Sequence, residues 1–428
     1  MTTKLSKTGE EPQDANPVAE GAVTAVDPRL LVRQQGFGGY IGEFKRKMRS
    51  GELGSLPVVI GLIIIGAVFQ LNDSAFLGAE NLSNLFVSSA GTGLIAVGIV
   101  FVLILGEIDL SVGSVSGLAA AVFAVLNINN GMPEWLALIL AILTGAVIGA
   151  VHGFFFAKIG VPAFVVTLAG LLGWNGLMLQ VLGENGTINL DDSGLVAKLT
   201  NYYFSDVIAA YGLAAIGVLG FFALSWNDAR RREAVGIPSR PLSEIALRTV
   251  VLAIPAVVVA ALLNQYKGLP LALVIFLGVV VALDFVLRRT PYGRKVFALG
   301  GSTEAASRAG INVPFIRISV FAIAGTMAAV GGMFFASQIN AANQGSGAGS
   351  LLMNAIAAAV IGGTSLFGGR GKTWSALLGV LVIQSIASGM AMLGIASAVQ
   401  YMITGAVLLA AVVIDSVSRR TQKTAGRA

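Results

Sequence analysis

A succession of apolar blocks, each close to the length that crosses a bilayer, constrains this chain more than any other feature. They occupy residues 56–71, 85–105, 110–128, 135–157, 162–182, 207–226, 249–263, 269–287, 318–339, 351–367, 374–393 and 395–414. A bilayer core takes roughly 20 residues of helix, and lipid offers the backbone no hydrogen-bond partner, so spanning segments close their bonds within helices. The blocks therefore predict an all-α, polytopic transmembrane helical bundle of about 10–12 spans. Charged residues make up only 12% of the chain, against about 25% in a soluble domain. The 54 glycines fit the same setting, because small residues let helices approach closely in lipid.

Charge placement orients the blocks. With the N-terminus inside and strict alternation, the inside loops hold Lys158, Arg230 to Arg232, Arg240, Arg248, the stretch 288–317, Arg370, Lys372 and Arg419, Arg420, Lys423 and Arg427. Lys198 and Lys267 alone fall outside, among Asp73, Glu80, Glu134, Glu184, Asp191, Asp192 and Asp206. Basic residues gather in cytoplasmic loops, so both termini are placed in the cytoplasm. Residues 1–53 read as a disordered cytoplasmic tail, 54–416 as the membrane domain and 417–428 as a cytoplasmic C-terminal tail. The net charge of +6 does not point to nucleic acid, because the cations sit at span ends. There are no cysteines, so disulfides are excluded.

Three polar stretches stand out. Residues 106–113, Gly-Glu-Ile-Asp-Leu-Ser-Val-Gly, put Glu107 and Asp109 between two blocks with almost no loop. Carboxylates at membrane depth are costly, but Asp109 can cap the next helix through the amides of Ser111 and Val112. The structural motif is Glu107, Asp109, Ser111 and Gly113, with the capping role preferred over proton or substrate handling. Gly113 with Gly117, and Gly145 with Gly149 and Gly153, are spaced as packing seams. Residues 369–373, Gly-Arg-Gly-Lys-Thr, look like the end of a phosphate loop, but Leu366 stands where its first glycine belongs. Residues 345–350 read as a flexible outside loop. His152, the sole histidine, is a packed or pore-side polar residue with no partners for a metal. Trp174, Asn175, Gln338 and Asn354 are polar residues within spans and form a possible pathway for a neutral hydroxylated solute.

The stretch 288–317 is a basic, glycine-punctuated loop. Inside it Glu304-Ala305-Ala306-Ser307-Arg308-Ala309-Gly310 reads as a short helix. Ser302 or Thr303 can cap it, Glu304 suits the positive end, and Arg308 lies one turn on, within pairing reach. Gly310 suits the left-handed residue past its end, and Pro314 stops continuation. So short a helix has no stability of its own in water, so a partner or the rest of the protein must hold it.

Glu304-Ala305-Ala306 followed by Gly310 resembles the EAA motif by which ABC importer permeases meet their ATPases. With residues 106–114, 162–168, 290–302 and 361–371, the chain resembles the ribose/xylose class of sugar permeases over roughly residues 85–415. The Ile-x-Leu-Pro ending that other EAA loops carry is absent at that spacing. The long N-terminal tail and the extra pair of blocks between 207 and 263 are similar to the xylose-type members. The resemblance implies a non-enzymatic transport subunit in the bacterial inner membrane, paired as a permease homodimer. It implies separate cytoplasmic ABC ATPase subunits carrying ATP and Mg, an extracytoplasmic sugar-binding protein, and no cofactor in this chain. Glu304, Ala305, Ala306, Arg308 and Gly310 would form the ATPase-coupling surface, and the cargo would be xylose or a related pentose. The rival readings are an ion-coupled transporter using Glu107 or Asp109, and an importer of amino acids or nucleosides.

Overall fold

The computed structural model describes residues 56–424, apart from Asn185 and Pro238. The tail expected at 1–53 and the last residues of the C-terminal tail lie outside the described residues. The helices are Leu56–Asn72 (α1), Ala79–Ile104 (α2), Val112–Ala124 (α3), Glu134–Phe154 (α4), Ala163–Leu182 (α5), Leu195–Asn201 (α6), Val207–Ala234 (α7) and Leu242–Asn264 (α8). They continue as Leu271–Arg289 (α9), Pro291–Gly301 (α10), Thr303–Arg308 (α11), Val313–Ile339 (α12), Leu351–Ile361 (α13), Thr373–Met392 (α14) and Ser397–Thr424 (α15). The strands are Thr187–Asn189 (β1), Tyr203–Phe204 (β2), Leu269–Pro270 (β3) and Ala341–Asn343 (β4). Among the described residues nine helices are long and apolar enough to cross a membrane, counting the π-helical turns that extend α3 and α4. The apolar helices Leu56–Asn72, Leu351–Ile361 and Ser397–Val413 are shorter.

Every apolar block holds a helix, but some ends differ from the reading. The block 351–367 is helical only to Ile361, because Gly362 and Gly363 follow and Gly363 adopts φ 102°. The span read from Ile318 begins at Val313, where the Asn312 carboxamide oxygen accepts from the Phe315 amide at 3.0 Å. Pro314 thus opens a helix, a position where its missing N–H costs nothing, rather than merely stopping the one before. The loop read at 288–317 contains two helices, α10 and α11. Helix α15 runs to Thr424, through most of the segment read as a tail.

Contacts between residues distant in sequence show which loops share a side. β1 pairs antiparallel with β4, and β2 with β3. The Glu134 carboxylate accepts from the amides of Leu195 and Val196, at 2.6 and 2.8 Å, and so caps α6 from a distance. The Ser337 hydroxyl bridges Thr200 and the carbonyl of Ala197. These contacts gather the ends of α4, α7, α9 and α12 on one side. On the opposite side Gly369 N donates to the carbonyl of Ile104 at 2.9 Å. The alternation read from charge requires this same grouping.

Helix α2 is the central pole, with every residue from Ser89 to Ile104 buried. Helix α12 lies against α2 and α4. A Cβ on Gly149 would collide with the carbonyl of Phe321, one on Gly145 with that of Gly325, and one on Gly98 would press on Ala324. In lipid, apolar helices gain nothing from avoiding water, so association rests on close van der Waals contact. The glycines make that contact possible by letting backbone meet backbone.

Candidate functional site

Helix α11 is built as a small exposed handle. Ser302, in extended conformation, accepts from the Ala305 amide at 3.2 Å through its hydroxyl, which caps the helix. Gly310 is left-handed at φ 76° and donates to the Ser307 carbonyl, while Ile311 donates to that of Ala306. Only Ala306 is buried; Glu304, Ala305, Arg308 and Gly310 are exposed. No ion pair joins Glu304 to Arg308 among the described residues, so the anticipated pairing within this helix does not form.

Helix α10 ties the handle to the bundle. Thr290 accepts from the Gly293 amide, Pro291 occupies the first turn, and Val296 and Leu299 are buried. The Tyr292 hydroxyl meets the Ser319 hydroxyl of α12 at 2.8 Å. Gly300, at the end of α10, lies against the Ile104 carbonyl so closely that any Cβ would clash. Gly368 also abuts Gly300 and Gly106. Three stretches far apart in sequence, 106–113, 290–302 and 361–371, therefore meet at one backbone junction. The last carbonyl of α2, an orphan in an isolated helix, is satisfied there by Gly369.

Directly beyond this junction the chain is non-helical from Leu105 to Ser111 and buried at Asp109. Irregular backbone at membrane depth persists only where protein surrounds it or where it lines a water-filled cavity. Asp109 accepts from the Ser111 amide at 2.8 Å and the Ser111 hydroxyl at 2.6 Å. The expected bond to the Val112 amide is absent, so Asp109 does not cap α3, whose cap position is Ser111; the carboxylate instead closes a turn just ahead of the helix. Ser111 Oγ then lies 3.3 Å from His152 Nδ1, and Trp174 Nε1 donates to His152 Nε2 at 2.8 Å. Because Nε2 accepts, a neutral His152 carries its proton on Nδ1. Trp174, His152 and Ser111 then all donate toward Asp109. This chain joins α4, α5 and the start of α3.

Of the other polar residues singled out, Glu107 is half-buried and faces the Arg317 guanidinium, which itself lies 4.2 Å above the Phe156 ring. Asn175 is half-buried beside Trp174. Asn354 bonds the Ser350 hydroxyl at 3.3 Å, and Gln338 is exposed in the last turn of α12. Among the described residues no hydrogen bond brings Gln338 or Asn354 to the Asp109 chain. Gly113 packs on the Gly347 carbonyl and Gly117 on that of Ser346. The stretch 345–350, read as a flexible outside loop, therefore folds back against α3. In the stretch 369–373, Gly369 N donates to the Ile104 carbonyl and Gly371 packs on the Ile104 side chain, while Arg370 and Lys372 are exposed. Sequence reading missed Gly300, whose role depends on what it touches, and gave His152 as a packed or pore-side residue without naming Trp174 and Ser111 as its neighbours.

The family model described as the permease component of the branched-chain amino acid transport system matches residues 81–412. The xylose transport system permease protein XylH of Escherichia coli is 36% identical over 90% of this chain and 95% of its own length. XylH of Haemophilus influenzae is 35% identical over 87% of this chain and 99% of its own. The ribose import permease RbsC of Bacillus subtilis is 32% identical over 87% and 96%. No solved structure matches.

Proposed function

This chain belongs to the permease family of ATP-binding-cassette transporters and is the permease component of a sugar importer, and we propose that its cargo is xylose or a related pentose. The proposal rests on the match to xylose permeases along nearly the whole chain. Two copies would form the pathway in the inner membrane, with both termini cytoplasmic, and an extracytoplasmic binding protein would deliver the sugar. ATP and Mg would reside on partner ATPase subunits, since the stretch 369–373 has Leu366 where the first glycine of a nucleotide-binding phosphate loop belongs and follows a helix rather than a strand.

The observation that carries the mechanism is the position of α11. It is exposed, capped at both ends, and linked through α10 to the last carbonyl of α2. An ATPase groove that takes Glu304, Ala305, Ala306, Arg308 and Gly310 would push on α10. Backbone packed on backbone yields little, so the push would pass through Gly300 to Ile104 and Gly369. The segment 105–111 starts at that point, and the Trp174–His152–Ser111–Asp109 chain would hold its far end in register with α4 and α5. Asp109 is then a positioning group, and no proton needs to cross with the sugar.

Uptake of labelled xylose, ribose and leucine, with the gene for this chain deleted and then restored, tests the cargo. Xylose uptake lost and regained supports the proposal. Unchanged xylose uptake, with loss of leucine uptake instead, would move the chain to the cargo named in the family description.

A further inference from the structure

On the side of the Ile104–Gly300–Gly369 junction, a cavity of about 510 Å³ opens between the end of α9, helix α10 and the segment joining α13 to α14. Arg288, Arg294, Arg370 and Lys372 line it, with Leu287 and Phe297 contributing apolar wall. All four cations are exposed. Arg288 reaches Asp284 at 3.7 Å, while Arg294, Arg370 and Lys372 form no salt bridge among the described residues. Like charges gathered round one concavity repel each other and raise the local concentration of anions.

Two neighbouring features indicate which anion. Val281 and Phe285, 52% and 60% exposed, lie on the same face of α9 as Arg288. This apolar stripe runs along the membrane helix and ends in the cavity. Trp374 is exposed in the first turn of α14 beside Asp284, and tryptophan is enriched where membrane helices meet lipid headgroups. We propose that the cavity binds the headgroup of an anionic phospholipid, with the phosphate among Arg294, Arg370 and Lys372 and acyl chains along Val281 and Phe285. Basic pockets at the cytoplasmic ends of membrane helices suit such headgroups. The competing occupant is a carboxylate of the ATPase, since α10 is close by, but it would leave the apolar stripe unused. The proposal is independent of the sugar carried.

The test uses the full chain, purified in detergent with its ATPase subunits and examined by native mass spectrometry. It is titrated with phosphatidylglycerol, phosphatidylcholine, glycerophosphoglycerol and inorganic phosphate. Phosphatidylglycerol is retained over phosphatidylcholine, and the retention weakens as salt rises. Arg294→Gln with Arg370→Gln and Lys372→Gln weakens it roughly 100-fold, about fivefold per charge. Arg370→Gln alone gives about fivefold, and Arg294→Lys with Arg370→Lys stays near the starting affinity. Lys158→Gln with Arg231→Gln, cations expected on the same side but outside the cavity, has no effect. Equal retention of both lipids, or equal loss in the control variant, would overturn the site. Headgroup or phosphate binding as tight as the lipid would overturn the lipid assignment. Loss of the ATPase with lipid retention unchanged would give the cavity to the ATPase.

Discussion

Helices α2 and α7 are equally apolar over their most apolar 18 residues, yet 94% of that stretch is buried in the protein in α2 and only 6% in α7. In α8 the corresponding stretch is as apolar and 11% buried. Hydropathy thus reports that a segment leaves water, and not whether protein or lipid receives it. The glycines divide the same way. In α2 a Cβ on Gly98 would press into Ala324, whereas Gly212, Gly217 and Gly220 of α7 have nothing within 4 Å of a Cβ. The α7–α8 pair meets the rest through a small cluster of Ala210, Ala260, Leu263, Leu269 and Leu273. The middle of the molecule is built from close backbone approach, and this hairpin is built on side chains at its edge.

The harshest way to break that contrast is to fill a glycine in the buried seam. Gly149→Leu drives a side chain into the Phe321 carbonyl of α12. Overpacking costs about 1–3 kcal/mol, sometimes more, and here the obstruction is backbone that cannot rotate away. Folded protein should fall below detection by fluorescence-detected size exclusion. Normal yield and melting temperature would mean that the seam is looser than its geometry.

Asp109 comes next, because it tests whether the buried middle is held by polar groups as well as by packing. Asp109→Leu leaves the Ser111 amide and hydroxyl without their acceptor, at about 1–3 kcal/mol for a buried group. Membrane yield should drop. Asp109→Asn keeps an oxygen acceptor in the same place, so yield and sugar uptake should stay near the starting level. An Asn variant that expresses normally and transports nothing would make the carboxylate itself part of transport.

These two residues also mark what was legible in the sequence. The spans were legible because a helix entering lipid needs a run of apolar residues whatever it packs against. Which loops share a side was legible from charge, and the strand pairs group them the same way. Within the basic loop, the Ser302 cap and left-handed Gly310 could be read because caps are local. Helix α10 was equally local: Thr290 before Pro291 is a start signal, and the surrounding glycines and cations obscured it. The junction at Gly300 and the partners of His152 could not be read, because each depends on residues far away in sequence. His152 stood out as the sole histidine, yet only the fold puts Trp174 and Ser111 on its two nitrogens.

A smaller effect separates coupling from folding. Glu304→Lys puts a cation at the positive end of exposed α11, costing about 0.5–1 kcal/mol locally. That is too little to unfold a bundle held by α2 and α12. Yield and melting temperature should hold, while co-purification of the ATPase and sugar-stimulated ATP hydrolysis should fall together. If both persist at normal levels, α11 is not the coupling surface. If the melting temperature drops as far as for a seam variant, the handle belongs to the buried middle after all.

The smallest effect has the opposite sign. Glycine in a helix interior costs roughly 0.5–1 kcal/mol relative to alanine, through backbone entropy. Gly217 of α7 lies in open space, so Gly217→Ala meets no obstacle and reduces the freedom of the unfolded chain. The melting temperature in detergent should rise by a degree or so, while the same change at Gly149 lowers it. One substitution then gives two signs, and the sign reads out what surrounds each helix. Repeating the measurement on the complete transporter sharpens the comparison. If Gly217→Ala stabilises the isolated chain but weakens the assembled complex, a second subunit covers α7 there. If it stabilises both, that face of α7 meets lipid throughout.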